Sequence, residues 1–182
     1  MKMYYIAVVL PGVLNAVIIK HKELMLERFQ AKVGLKSPAH ITIIPPFWMD
    51  PAREPSLISD VNHVADEIVP FEIQTKNFNC FKPRTIYVDV QHSPPLKTLK
   101  ETAEEFFTAG EYKIKREERP FQPHITIATR DLAKHHFAEA WAIFENKKFD
   151  KEFTAHSLSL LRHNGKTWDV INKSPFSGFT QT

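Results

Sequence analysis

Two segments of this chain carry the same four residues, His40-Ile41-Thr42-Ile43 and His124-Ile125-Thr126-Ile127, spaced 84 residues apart. Histidine is the side chain whose ordinary pKa, near 6.5, lets it give or take a proton close to neutral pH. A threonine hydroxyl can donate a hydrogen bond to an oxygen on which negative charge builds. With nine histidines and twelve threonines in 182 residues, the His-x-Thr spacing arises by chance about 0.6 times. A single triplet therefore means little; an identical tetrapeptide repeated in equivalent surroundings means much more.

Strand geometry fixes what each copy presents. Side chains alternate along a strand, so His40 and Thr42 share one face while Ile41 and Ile43 enter the core from the other. His124 and Thr126 do the same. If the two strands belong to lobes related by a pseudo-twofold axis, two imidazoles and two hydroxyls converge on one small volume. That set suits a phosphodiester. One neutral imidazole takes a proton from the attacking oxygen, the other as imidazolium protonates the leaving oxygen, and the hydroxyls steady the non-bridging oxygens. Acid, base and donors are all present, so no metal or other cofactor is required.

The surrounding elements repeat as well. Tyr4–Leu10 reads as a strand, and Val13 to about Val33 has helical apolar spacing between Pro11 and Gly34. The first motif strand covers about 39–44, closed by Pro45-Pro46. Pro55–Ile68 reads as an amphipathic helix and Phe71–Phe81 as a strand. The second half follows with a strand at Ile86–Val90, a helix from Pro94-Pro95 to about Phe107, a strand around Tyr112–Lys115 and the second motif strand at 123–128. Asp131 is placed as the N-cap of a helix to about Glu145. Phe153–Leu161 and Thr167–Ile171 read as strands joined at Asn164-Gly165. The fold class is α+β, bilobal, with two pseudo-symmetric lobes around a central cleft, and residues 1–182 are expected to form a single domain.

Composition excludes several alternatives. At 43% hydrophobic and 25% charged residues the chain has the makings of an ordinary core, unlike a disordered or collagen-like chain. A net charge of +3 does not mark a nucleic-acid coat protein; it permits an anionic ligand. Cys80 is the only cysteine, so there is no internal disulfide and no cysteine cluster for zinc, which favours a cytoplasmic location. No His-x-x-x-His or His-carboxylate helix pair joins the two motifs, so no metal site is expected. The apolar run Met3–Ile19 invites comparison with a signal peptide, but Pro11-Gly12 and Asn15 interrupt it and no small-residue cleavage site follows. It is also short for a membrane span. A strand, a turn and a helix account for it, and no membrane association is expected. A pseudo-symmetric pair buries its own interface, so a monomer is expected.

The segments Ser37-Pro-Ala-His-Ile-Thr-Ile-Ile-Pro-Pro-Phe47 and Phe121-Gln-Pro-His-Ile-Thr-Ile-Ala-Thr-Arg130 resemble those of the 2H phosphoesterase superfamily, in its branch of 2′-5′ RNA ligases and 2′,3′-cyclic phosphodiesterases. The resemblance implies a central cleft with His40 and His124 as acid and base and Thr42 and Thr126 as phosphate ligands. It further implies hydrolysis, and reversible ligation, of 2′,3′-cyclic or 2′-5′ phosphodiesters of an RNA end or nucleotide. In many members an arginine directly follows the second motif. Here Thr129 intervenes, and a one-residue shift turns Arg130 to the other face unless the strand has already ended.

Phe47, Trp48, Tyr87 and Phe121 flank the motif strands and are candidates to stack on a base, with Arg130 as a further substrate contact. Lys36, Lys82, Arg84, Arg116 and Arg119 lie close to Glu111, Glu117 and Glu118 and read as a solvated, mixed-charge surface, with a phosphate-attracting rim as the alternative. The remaining histidines, among them His135, His136 and His163, share no pattern and read as surface or packing residues. From the residues alone, a module that binds a nucleotide or RNA end without turnover stays open, as does a phosphodiesterase for a small nucleotide such as an ADP-ribose cyclic phosphate. The near-symmetry also leaves open which histidine is acid and which is base.

Overall fold

The computed structural model describes residues 1–178 and resolves the repeated pattern into two antiparallel four-stranded sheets. In chain order the elements are β1 (Lys2–Val9), α1 (Gly12–Phe29), β2 (His40–Met49), α2 (Glu54–Asp66), β3 (Phe71–Phe81) and β4 (Thr85–Val90). There follow α3 (Pro94–Ala109), β5 (His124–Ala128), α4 (Phe137–Phe144), β6 (Glu152–Ala155), β7 (Ser157–His163) and β8 (Trp168–Pro175). One sheet has the order β2-β1-β7-β8 and the other β5-β4-β3-β6. This is the α+β, two-lobed architecture expected from the repeat. Each motif strand is an edge strand of its own sheet, and β2 and β5 approach one another between the lobes.

The helices tie the lobes together. Helix α1 follows β1 in sequence yet packs on β5 of the opposite sheet, and α3 follows β4 yet packs on β2. Helix α2 covers β7 and β8, and α4 covers β3. Helices α2 and α3 each offer an apolar stripe at helical spacing: Leu57, Val61, Val64 and Ala65 in α2, and Leu96, Leu99, Ala103 and Phe107 in α3. The reciprocal crossover merges the inner faces of both sheets into one continuous core that includes Ile6, Ile41, Ile43, Ile125 and Ile127. Strand β1 buries both faces: Tyr4, Ile6 and Val8 point into that core, while Tyr5 and Ala7 join Leu161 in a small apolar cluster on the other side. Among the described residues no helix is long and apolar enough to cross a membrane.

Several local expectations are corrected. Helix α1 stops at Phe29, because Gln30 turns left-handed at φ 57° and its N–H reaches back to Leu26. Strand β2 continues through Pro45-Pro46 to Met49. It is an edge strand, where missing N–H groups cost no ladder bond, and its register against β1 shifts between Tyr4 and Ile6 beside the prolines. Tyr112–Lys115 is not a strand. Lys113 is left-handed at φ 57°, and Tyr112 is drawn inward between Phe47 and Phe107 with its hydroxyl donating to Asp60.

Asp131 does not cap a helix of its own, since α4 begins only at Phe137. Its Oδ2 instead accepts from the N–H groups of Lys32 at 2.7 Å and Val33 at 2.8 Å. It thereby caps the 3₁₀ turn Val33–Lys36 that leads into the first motif. The segment Phe153–Leu161 is two strands. It breaks at His156, with β6 completing one sheet and β7 entering the other.

Candidate active site

His40 and His124 each open their strand, and each is held in the same way. Nδ1 of His40 lies 2.7 Å from the carbonyl oxygen of Pro38, and Nδ1 of His124 lies 2.7 Å from that of Gln122. A carbonyl only accepts, so both Nδ1 atoms carry the proton and both Nε2 atoms are left free for chemistry. The extended run before each strand makes this possible. Pro38 and Pro123 push the residues before them toward extended backbone, as Ser37 shows at φ −140° and ψ 154°, and Ala39 is pinned by its N–H to Asn15 Oδ1 at 2.7 Å.

Each imidazole also rests on a tyrosine. Tyr5 of β1 sits 4.9 Å from the His40 ring, its hydroxyl 3.4 Å from Nδ1. Tyr87 of β4 sits 5.1 Å from the His124 ring, which also meets the edge of Phe81 at 5.3 Å. Burial drives both phenols well above their ordinary pKa, Tyr87 to about 12. Both therefore serve as neutral supports.

The cleft has two halves. One is a cavity of about 480 Å³ whose lining includes His40, Thr42, Thr126, Lys22, Lys36 and Arg130. The other, about 600 Å³, is lined by His124, Thr42, Phe81, Arg119, Phe121 and Gln122 among others. Thr42 and Pro46 border both halves. Neither Thr42 nor Thr126 spends its hydroxyl on a protein partner among the described residues, so both remain available as donors. The His40 half contains no carboxylate in its lining, whereas Glu117 enters the other.

The surroundings of His40 fix its charge. Burial pushes His40 down to about 4; the bond to Pro38 opposes the fall, and the nearby charges of Lys22 and His124 add to it. His40 is therefore neutral at physiological pH, with an unprotonated Nε2.

Of the flanking candidates, Phe121 lines the His124 half, with the Lys100 ammonium 5.5 Å from its ring centre. Arg130 reaches the His40 half because β5 has already ended at Ala128, so the alternation that would have turned it away no longer applies. Three candidates are corrected. Phe47 points into the core against Tyr4 and Tyr112, on the face of β2 opposite the cleft. Trp48 is 59% exposed and lines neither half. Tyr87 is covered by Phe81 and His124, and its hydroxyl accepts from Gln122 at 3.2 Å, so it supports His124 from beneath without facing a ligand.

The site also includes residues that sequence reasoning passed over. Trp168 stands edge-on to Tyr5 at 4.6 Å and His163 packs on Trp168 at 5.0 Å, both bordering the His40 half. They come from β7 and β8, far from the motifs, and only the sheet order brings them near. Lys22 lines the same half. Its signal was present: it stands in the buried stripe Ile18, Lys22, Met25, Phe29 of α1, where an apolar residue belongs. Among the described residues no group of three or more histidine, cysteine, aspartate or glutamate side chains is arranged to hold a metal.

Residues 19–167 match the 2′-5′ RNA ligase superfamily. A candidate phosphoesterase of Bacillus cytotoxicus is 28% identical over 136 residues, covering 73% of this chain and 76% of that protein. A candidate phosphoesterase of Bacillus mycoides is 29% identical over 137 residues, with the same coverage. Among solved structures, TT0787 of Thermus thermophilus superposes with a TM-score of 0.69 at 19% identity, over 99% of this chain and 100% of that one. E. coli LigT in complex with 3′-AMP superposes with a TM-score of 0.67 at 13% identity, over 97% and 98% of the two chains. LigT has also been crystallised with ATP.

Proposed function

The chain belongs to the 2′-5′ RNA ligase superfamily, and from that premise we propose that it is a phosphoesterase acting on 2′,3′-cyclic or 2′-5′ phosphodiesters of an RNA end or nucleotide. The observation that carries the reading is the matched state of the two histidines. Each Nδ1 is committed to a backbone carbonyl, and among the described residues each Nε2 is free and the two threonine hydroxyls beside them have no protein partner. The binding of 3′-AMP and ATP by LigT supports a nucleotide ligand.

The neutral state of His40 assigns the roles. His40, held neutral by burial, accepts the proton of the attacking water as the phosphorus–oxygen bond forms. His124, protonated on Nε2, gives its proton to the 2′ or 3′ oxygen as the opposite bond breaks. In ligation a 5′-hydroxyl takes the place of water and the two histidines keep these roles; cleavage of a 2′-5′ bond by the neighbouring 3′-hydroxyl is the reverse of that step, and there the roles exchange. Thr42 and Thr126 donate to the non-bridging oxygens, whose charge grows in the transition state. Phe121 and Arg130 contact the nucleotide on either side of the phosphorus. Every proton is handled by a side chain, so no metal takes part.

The test is turnover by the purified chain of 2′,3′-cyclic mononucleotides, 2′-5′ dinucleotides and RNA carrying cyclic-phosphate ends, each in excess EDTA. Cleavage of at least one, undiminished by the chelator and abolished in His40→Ala, is expected. Binding without turnover of any of them would replace the enzyme with a nucleotide-binding module. Activity restored only by a divalent ion would end the metal-free mechanism.

A further inference from the structure

Two lysines stand in the buried stripes of the two crossover helices and meet opposite fates. Lys100 stands in the buried stripe of α3, and its Nζ donates to the Ile43 carbonyl at 3.0 Å. Two carboxylates neutralise it, Glu117 at 2.6 Å and Glu104 at 3.4 Å. Lys22 stands in the buried stripe of α1, 2% exposed, and its Nζ donates to the Ser37 carbonyl at 3.0 Å. Among the described residues no carboxylate lies within ion-pair distance of Lys22. Its ammonium keeps two donors unspent among the described residues, and Lys22 borders the cavity that holds His40, Thr42 and Thr126.

A buried cation without a counter-ion is costly, and folds seldom keep one where an apolar residue would do. Every charged or titratable group around Lys22 in that cavity is basic or neutral: Lys36, Arg130, His40, His163 and the Tyr5 phenol. A site of this kind is complete only when an anion enters.

Building on the phosphodiester reading above, we propose that Lys22 is a direct ligand of the substrate's phosphoryl oxygens, a third donor beside Thr42 and Thr126. The free protein then holds an unpaired ammonium at the floor of the cleft, and the bound phosphoryl group becomes its counter-ion. The same charge, standing near His40, helps keep that imidazole unprotonated before substrate arrives. Burial lowers Lys22 itself to about 8, so its contribution fades as the solution turns alkaline.

Inorganic sulfate is the probe, because its charge is constant across the alkaline range in which Lys22 loses its proton. Calorimetric titration of the full chain at neutral pH should show Lys22→Met weakening sulfate by roughly 10- to 100-fold, the span of one charge-assisted hydrogen bond. Lys20→Met, which removes an exposed cation from the same helix, should leave affinity within about twofold. As pH rises from neutral through the lowered Lys22 value, wild-type affinity should fall, and the fall should be absent in Lys22→Met. Lys22→Arg, charged throughout, should bind without an alkaline fall and so separates the charge from any effect on folding. Without anion, Lys22→Met should unfold at a temperature no lower than wild type, since an unpaired buried charge has gone.

The inference is overturned if Lys22→Met binds sulfate within twofold of wild type, or if the alkaline fall persists in both variants. Turnover of a 2′,3′-cyclic nucleotide is measured separately. Unchanged sulfate affinity in an active Lys22→Met protein removes this ligand alone. Loss of affinity in a chain that turns over none of the proposed diesters removes the enzymatic reading and leaves an anion site at Lys22.

Discussion

Gly34 lies so close to Ile127 that a β-carbon added to it would stand 2.3 Å from the Ile127 carbonyl oxygen. Gly34 belongs to the turn that delivers the first motif, and Ile127 to the strand that carries Thr126. The backbone of one lobe therefore rests directly on the backbone of the other at the site, with the Lys22 Cγ packed 3.6 Å from the same point. Asp131 reinforces the contact, because it follows the second motif and caps the turn before the first. The relative placement of the two histidines is built into these cross-lobe contacts.

Gly34→Ala must therefore separate the two backbones. Overpacking of this kind costs about 1–3 kcal/mol, read as a lower denaturant midpoint at unchanged slope. Turnover of a cyclic phosphodiester should fall as well, since β5 carries both His124 and Thr126. Wild-type stability and rate in Gly34→Ala would show that the contact does not position the site.

His40→Ala and His124→Ala should each lower turnover by roughly 10²–10⁴-fold while leaving the chain folded. Among the described residues His40 bonds only to the Pro38 carbonyl and the Tyr5 hydroxyl, and His124 only to the Gln122 carbonyl, so neither anchors the core. The double variant should fall far short of the product of the two losses, because an acid without its base has little left to contribute. Near-wild-type turnover in both single variants would make the repeat structural only.

The buried position of His40 changes the expected pH dependence. From the residues alone both limbs of the rate profile belong near neutral pH. With His40 lowered to about 4, the acid limb of kcat/KM moves down toward that value. Stability has a matching sign. The unfolded histidine takes up its proton near 6.5 and the folded one only near 4, so folding loses stability as pH falls between these values. The full effect is on the order of 3 kcal/mol, shared with the Lys22 and His124 charges that face His40. Urea unfolding from neutral pH down to the lowered His40 value, in wild type and His40→Gln, measures it; equal slopes in the two proteins would refute the assignment.

Much of this was legible in the sequence, and the rest had a definite reason not to be. Alternation in a strand is local, so His40, Thr42, His124 and Thr126 could be placed on one face from four residues each. Phe47 was misplaced because the strand was expected to end at Ile44; β2 runs on to Met49, and alternation puts Phe47 on the core face with Ile41 and Ile43. Tyr87 sits on the cleft face, opposite Thr126, yet packing from Phe81 and Gln122 covers it, and packing is not a local property. Tyr5, His163 and Trp168 meet only because β1, β7 and β8 are neighbours in the sheet. Tyr112–Lys115 failed as a strand through the pull of its own aromatic residue into the core. Lys22 was readable in principle as a charge in an apolar stripe.

Thr42→Val and Thr126→Val keep the shape of the side chain and delete one donor aimed at the phosphoryl oxygens. Each should lower kcat by up to roughly 10²–10³-fold, with a smaller change in KM, because the bond strengthens as charge builds. Thr42 borders both halves of the cleft and Thr126 only the His40 half, so Thr42→Val should show the larger loss. Steady-state kinetics on a cyclic mononucleotide decide this; a rise in KM at constant kcat for both would reassign them to ground-state binding.

Arg130 provides the sharpest contrast with the threonines. It lies two residues past the end of β5, exposed at the edge of the His40 half, with its own carbonyl accepting from Arg84 at 3.3 Å. An exposed guanidinium on a segment outside the sheet is poorly fixed for transition-state work but well placed to attract an anionic ligand. Arg130→Ala should therefore raise KM by about tenfold with kcat nearly unchanged, the pattern of binding energy spent equally on ground and transition states. The effect should shrink as salt screens the charge, and Arg130→Lys should recover much of it, since no bidentate geometry is demanded at an exposed rim. A fall in kcat that salt does not alter and lysine does not rescue would place Arg130 among the groups that act on the reacting phosphorus.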